Sequence, residues 1–255
     1  MTHAERLEAL AASLAGRARR LEQRRDSRCV FTHAYALMTR RLAAEVSTST
    51  LTEPAWVVAL AETFAARYAA ALDAWDAGEE PAPAWREVFE AIGSRRTSVL
   101  EDLVLAMAAH IMRDLPHSLL DAGLEAPDGS SRIGDFHAVN DVLGKAVDEI
   151  QDEVGRRYAR YFRSLDRIGR GYDEILTNYG VRVSRGLAWY NARRLADPRS
   201  SEDAASSIER SPIVFAHGVM NPPLRSLRVL LRALRWCLGY LRRWPAAHEA
   251  GSNTA

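Results

Sequence analysis

The densest group of chemistry-bearing residues is Ala109-His110-Ile111-Met112-Arg113-Asp114-Leu115-Pro116-His117. Four residues are slightly more than one helical turn, so His110 and Asp114 project from one helix face, one above the other. An imidazole nitrogen and a carboxylate oxygen so placed can share a metal ion, or the carboxylate can orient the ring as a catalytic base. The plainer alternatives are a structural His–Asp hydrogen bond and a surface pair of Asp114 with Arg113. Pro116 should kink or end the helix, because its ring clashes with the carbonyl four residues back. His117 is then either a further ligand or a histidine favoured by a helix C-terminus.

A second group is Gly134-Asp135-Phe136-His137-Ala138-Val139-Asn140-Asp141. Asp135 is placed to cap the helix that follows or to act as a ligand. His137 shares a face with Asn140, whose poor helix propensity favours a specific hydrogen-bonding task. His33, between Phe31 and Tyr35, is a third polar point on an apolar surface. One pocket lined by His110, Asp114, Asp135, His137 and His33 would suit a divalent Zn, Fe or Mn ion with a position left for water or substrate. Tyr35 and Tyr68 could line it as proton donors. The catalytic set is His110, Asp114, Tyr35 and Asn140.

Helices must position these groups. Ala, Leu, Arg and Glu dominate, and apolar residues recur at three- and four-residue intervals, while strand-like alternation is scarce. Leu7, Leu10, Leu14 and Leu21 mark an opening helix; Phe31, Tyr35, Met38 and Leu42 mark a second. Pro54 starts a third, through Trp56, Leu60, Phe64, Tyr68 and Leu72. Trp85, Val88, Phe89 and Ile92 mark a short fourth. The most apolar helix, from about Ser98 to Leu115, should be central. Pro127–Ser131 is a loop. Phe136, Val139, Leu143, Val147 and Ile150 mark the next helix, and Ile175, Val183, Leu187, Trp189 and Leu195 another. The expected fold is all-α, a single multi-helix orthogonal or bundle domain of about seven to nine helices. Its parts are an N-terminal helix (1–28), a helical core with the site (29–196), a polar linker (197–223), a basic amphipathic helix (224–244) and a frayed tail (245–255).

The 255 residues are 47% hydrophobic and 26% charged, which excludes wholesale disorder. Lys plus Arg is 34 and Asp plus Glu is 33, a net charge of +1, so no global excess points to nucleic acid. Lys145 is the single lysine. Cys29 and Cys237 are too few for a disulfide framework and read as two reduced thiols, although one long-range bridge is open to them. Glu5, Arg6 and Glu8 interrupt the opening segment, and no run of 18 apolar residues occurs, so the expectation is a cytoplasmic chain without a secretory leader or spanning helix. The Leu224–Trp244 helix pairs a leucine face with an arginine face and could contact a membrane surface or an acidic partner; packing on its own domain is the alternative.

Asn140-Asp141-x-x-Gly144-x-x-x-Asp148 approximates the magnesium motif of terpene synthases and prenyltransferases, and Asp148-Glu149-Ile150-Gln151-Asp152 its aspartate-rich partner. Both lie on one helix, whereas a diphosphate clamp needs carboxylates facing each other across a cavity. The acids Asp148–Glu153 followed by Arg156, Arg157 and Arg160 read more simply as a salt-bridged helix face. No phosphate loop, Gly-x-Ser-x-Gly elbow or cysteine-based catalytic signature occurs.

The ordered set Tyr35-x-x-x-Thr39, Phe64-Ala65-x-x-Tyr68, Trp85-x-x-x-Phe89, Ala109-His110-Ile111-x-x-Asp114-Leu115-Pro116, Asp135-Phe136-x-x-Val139-Asn140-x-x-Leu143 and Ala188-Trp189-x-x-Ala192 resembles an uncharacterised bacterial family classed as a domain of unknown function. The resemblance covers roughly Cys29 to Leu195. It implies that His110, Asp114, Asp135 and Asn140 belong to a family pattern, but lends no activity. More distantly, His110-x-x-x-Asp114 with Pro116 and His117 is similar to a zinc-ligand segment of the helical phospholipase C and P1-type nuclease group. The leading expectation is a metal-dependent helical enzyme, a hydrolase or non-haem oxygenase acting on a small, apolar or ester-containing molecule. The alternatives are a metal-free cyclase or apolar-ligand-binding protein using the same pocket, and a membrane-associated interaction protein.

Overall fold

Two capping boxes set helix starts by local chemistry. Thr2 accepts the Glu5 N–H and the Glu5 carboxylate accepts the Thr2 N–H, opening α1 (His3–Gln23). Ser98 and Glu101 repeat the exchange at the start of α5 (Val99–Ala109). Pro54 and Pro83 stand in the first turns of α3 (Pro54–Asp76) and α4 (Pro83–Gly93), where the missing N–H removes no helical bond. Between α1 and α3 runs α2 (Cys29–Glu45).

The computed structural model describes residues 1–47, 51–94, 96–159 and 178–221 together with Arg242 and Trp244. Among these the fold is all-α, and its one β feature is an isolated bridge between Glu125 and Ser131. α5 continues without a break through a π turn, His110–Asp114, into α6 (Leu115–Ala122). The helix therefore does not end at Pro116. The Leu115 N–H reaches back to the His110 carbonyl, and this wider turn accommodates a proline that can neither donate a bond nor tolerate a close carbonyl one α-turn back. α7 (Ile133–Tyr158), α8 (Asn178–Ala196) and α9 (Ser201–Met220) complete the described helices.

Two apolar clusters meet at the π turn. One joins α1, α2, α4 and α5 to the end of α7 and includes Trp85, Phe89 and Val104. The other joins α2, α3, α6, α7 and α8 and includes Trp56, Leu119, Phe136 and Trp189. Each fully buried Leu or Phe contributes about 1.5–3 kcal/mol before chain entropy opposes it. α5 is the central helix its composition predicts, buried from Val99 to Ala109 except at Leu100 and Met107.

Three expectations change. α1 is part of the core rather than a separate element: it packs along α2 and buries Leu7, Leu14 and Leu21. The stretch read as a linker is largely helix α9, which buries Ala204, Ile208, Pro212, Ala216 and Val219 against α4, α5 and α8. A stripe of mostly small residues every fourth position is enough to bury a helix whose composition is otherwise polar. On α8 the buried face is Val181, Arg185, Ala188, Trp189 and Ala192, whereas Val183 and Leu187 are 52% and 49% exposed. Ile175 lies outside the described residues, as does Cys237; Cys29 is a buried free thiol.

Of the basic C-terminal segment, Leu224–Leu241 and the 245–255 tail lie outside the described residues. Its end is docked: Arg242 donates to Asp102 at 2.5 Å, and Trp244 packs against the first cluster. α3 is long and apolar enough to cross a membrane by length and composition alone, but its Trp56, Val58, Leu60 and Tyr68 are buried within the protein.

Candidate active site

Asp114 is fully buried, at 0% exposure, and three side chains converge on it. Trp85 Nε1 donates to Oδ2 at 2.9 Å, His110 Nδ1 lies 3.0 Å from the same oxygen, and Arg113 Nη1 donates to Oδ1 at 2.8 Å. Arg113 Nε lies 2.8 Å from Glu209 of α9, so the helix missed in the sequence steadies the cation beside Asp114. The carboxylate's two oxygens are thereby committed to protein donors, the arrangement that keeps a buried charge tolerable.

With an ionised Asp114 accepting at Oδ2, the His110 Nδ1 carries the proton and Nε2 keeps its lone pair. His110 is only 3% exposed, and its Nε2 has no hydrogen-bond partner among the described residues. Burial lowers its pKa below the ordinary histidine value more than Asp114 raises it, which favours the neutral ring. Phe64 stacks flat on the imidazole, with ring centroids 3.5 Å apart and planes 6° apart. Tyr35 stands at 4.7 Å edge-on, and Phe31, Tyr68 and Trp85 complete an aromatic box.

His110 borders a cavity of about 160 Å³ lined by residues of α2, α3, α5, the π turn, α6, α7 and α8. Its wall is largely apolar, including Tyr35, Met38, Phe64, Met107, Ile111 and Leu143. Met107 and Ile111, expected to be core, are partly open because they face this space. Arg185 also lines it, and the sequence reading missed this residue. Its signal was position: Val181, Arg185 and Trp189 recur every four residues, so a guanidinium occupies an apolar stripe. Trp85 was missed as a ligand of Asp114 because nothing in its own helix distinguishes it from an ordinary core tryptophan.

The five expected metal ligands do not gather. Asp135, in the first turn of α7, accepts the backbone N–H groups of Thr52 at 2.8 Å and Glu53 at 2.6 Å. It pins the entry to α3 and is not the cap of its own helix, which starts two residues earlier at Ile133. His137 is exposed and its Nδ1 lies 3.3 Å from Asn140 Nδ2. His33 stands edge-on to Tyr158 at 5.9 Å, outside the cavity wall. Among the described residues no group of three or more His, Cys, Asp or Glu side chains could hold an ion together. Asn140 is turned to Arg185, accepting its Nε–H. Of the two tyrosines, Tyr35 lines the cavity, whereas the Tyr68 hydroxyl is spent on Thr32 at 2.6 Å.

Among curated proteins and solved structures, no match to the chain was found. A family model does match, over residues 7–222, and so takes in α1 and α9 as well as the segment from Cys29 to Leu195 that carries the motifs. The chain belongs to the family of unknown function DUF5995.

Proposed function

We propose that this protein binds a small apolar molecule in the aromatic-lined cavity and acts on it by metal-free acid–base chemistry, with His110 as the proton acceptor. The observation that carries this reading is the unpartnered Nε2 of a buried imidazole bordering an apolar void while its Nδ1 is tied to Asp114. A carboxylate that fixes tautomer and ring orientation leaves the opposite nitrogen as a directed base. Tyr35, whose hydroxyl burial drives well above its ordinary pKa, stays protonated and can return a proton or bind an oxygen of the ligand. The cavity wall holds no serine or cysteine, and its threonine, Thr39, donates its hydroxyl to the Tyr35 carbonyl at 2.9 Å, so the base acts on the ligand itself or on a water beside it.

The donor set supports the metal-free branch. His110 Nδ1 and both Asp114 oxygens are engaged by protein groups, which leaves a single free ligand atom, and an ion needs three or more.

Calorimetric titration with 1-hexanol tests the reading. Saturable one-to-one binding that is lost in Leu143→Trp, which fills the cavity, and a perturbed His110 Nε2 resonance on binding are expected. Absence of binding, or binding unaffected by filling the cavity, would overturn it.

A further inference from the structure

Arg185 is 6% exposed and lines the same cavity as His110. Its guanidinium is fixed from two sides. Nε donates to Asn140 Oδ1, and the plane lies over the Phe136 ring with its carbon 4.3 Å from the centroid. Neither Nη atom has a hydrogen-bond partner among the described residues, and Arg185 forms no ion pair with a described carboxylate. The other buried arginine among the described residues behaves differently, Arg28 being paired with Asp26 and Asp76, and the half-buried Arg242 is paired with Asp102. A buried cation without a counter-charge is expensive, and here it sits where a void leaves room for one.

We propose that the ligand of this cavity is a small hydrocarbon acid, bound with its carboxylate on the two Nη groups of Arg185 and its apolar body in the space bordered by His110. The proposal rests on the pocket reading above and names the ligand's charged end. A planar guanidinium whose Nε is already committed offers its two Nη groups end-on to the two oxygens of one carboxylate. A single arginine, with no lysine or second arginine in the wall, matches one negative charge and not a diphosphate. An engineered cavity of about 150 Å³ accepts benzene, so this one holds a body of about six carbons. Burial pulls the Arg185 pKa down to about 10, and only the neutral Tyr35 hydroxyl lies near enough to raise it, as expected of a cation awaiting an anion.

The test is a calorimetric comparison of hexanoate with 1-hexanol at pH 7. Wild-type protein should bind hexanoate about tenfold or more tightly than hexanol, the gain of charge-assisted bonds over a neutral head. Arg185→Gln should abolish that preference while leaving hexanol affinity within about threefold. Arg185→Lys, which keeps the charge and loses the fork, should fall between the two. Equal binding of acid and alcohol by the wild type, a measurement independent of any variant's folding, would overturn the carboxylate assignment and leave the pocket standing. So would a preference that survives in a folded Arg185→Gln. Failure of both probes to bind would remove the pocket reading and this inference together.

Discussion

The buried His110 and the half-buried His33 invite comparison. His110 sits at the π turn among Phe64, Tyr35 and Trp85; His33 sits where α1, α2 and α7 meet, beside Tyr158, Glu22 and Arg157. Both rings have an unpartnered Nε2, and burial lowers both pKa values, that of His33 to about 4. Desolvation and an orphan nitrogen are therefore not what distinguishes a site. The difference lies in what stands on either side of the ring. His110 has a carboxylate on Nδ1 and borders a void, whereas His33 has neither: the nearby Glu22 gives its oxygens to Arg157 and the Tyr158 hydroxyl. One region is a carboxylate-oriented ring in the wall of a cavity, and the other is a structural knot.

The sharpest way to break that contrast is at the two carboxylates. Asp114→Ala leaves Arg113 without its buried partner and the Trp85 N–H without an acceptor, and should cost about 3–5 kcal/mol in urea unfolding together with the loss of hexanol-induced changes at His110. Glu22→Gln should also destabilise, yet leave hexanol binding as in the wild type. If it abolished binding too, the two regions would not be separable.

Acid separates them next. His33 has a folded pKa of about 4 against an ordinary 6.5, so the unfolded chain binds the proton more readily between those values. That stability is present above pH 6.5 and is lost as pH falls toward 4, by an amount on the order of 2–3 kcal/mol. The charged groups around the ring are Arg157, Glu22, Glu153 and Arg40. The Glu22 carboxyl, pushed up by burial but brought below its usual range by Arg157 and Tyr158, loses its contribution in the same direction at lower pH. His33→Phe should flatten the slope between pH 6.5 and 4 in denaturant midpoints measured against pH, with no effect on hexanol binding. A slope unchanged by the substitution would remove His33 from the account.

A smaller effect is expected at Asp135. Its two backbone donors make it a staple between α7 and the entry to α3, and Asp135→Asn should cost about 1.5–3 kcal/mol by thermal unfolding while sparing hexanol binding. Loss of binding in a folded Asp135→Asn protein would place this residue nearer the site than its contacts do.

Helices were legible wherever large apolar residues recur at helical spacing, as in Trp85, Val88, Phe89 and Ile92. α9 was not, because Ala204, Pro212 and Ala216 carry the burial and small residues raise little apolar signal among Ser, Asp and Glu. The rotated face of α8 has a related cause: Val183 and Leu187 look like core, while Arg185 on the buried stripe looks like surface. The His110–Asp114 pair was legible because it is local, set by a four-residue spacing that survives the π turn. Its partners Trp85 and Phe64, and Arg185 across the same cavity, come from separate helices, and no spacing within one element records such a meeting. Asp135 was misread for the same reason, since its partners are backbone groups more than 80 residues away.

In the proposed function His110 is a neutral base whose Nδ1 proton faces Asp114 and whose Nε2 is unprotonated. Nitrogen-15 spectra of the histidine rings at pH 7, with His110→Gln used for assignment, test it most directly. A protonated Nδ1, an unprotonated Nε2 and no change of charge until the pH falls below the ordinary histidine value are expected. A proton on Nε2 at neutral pH, as either the opposite tautomer or the imidazolium, would contradict it.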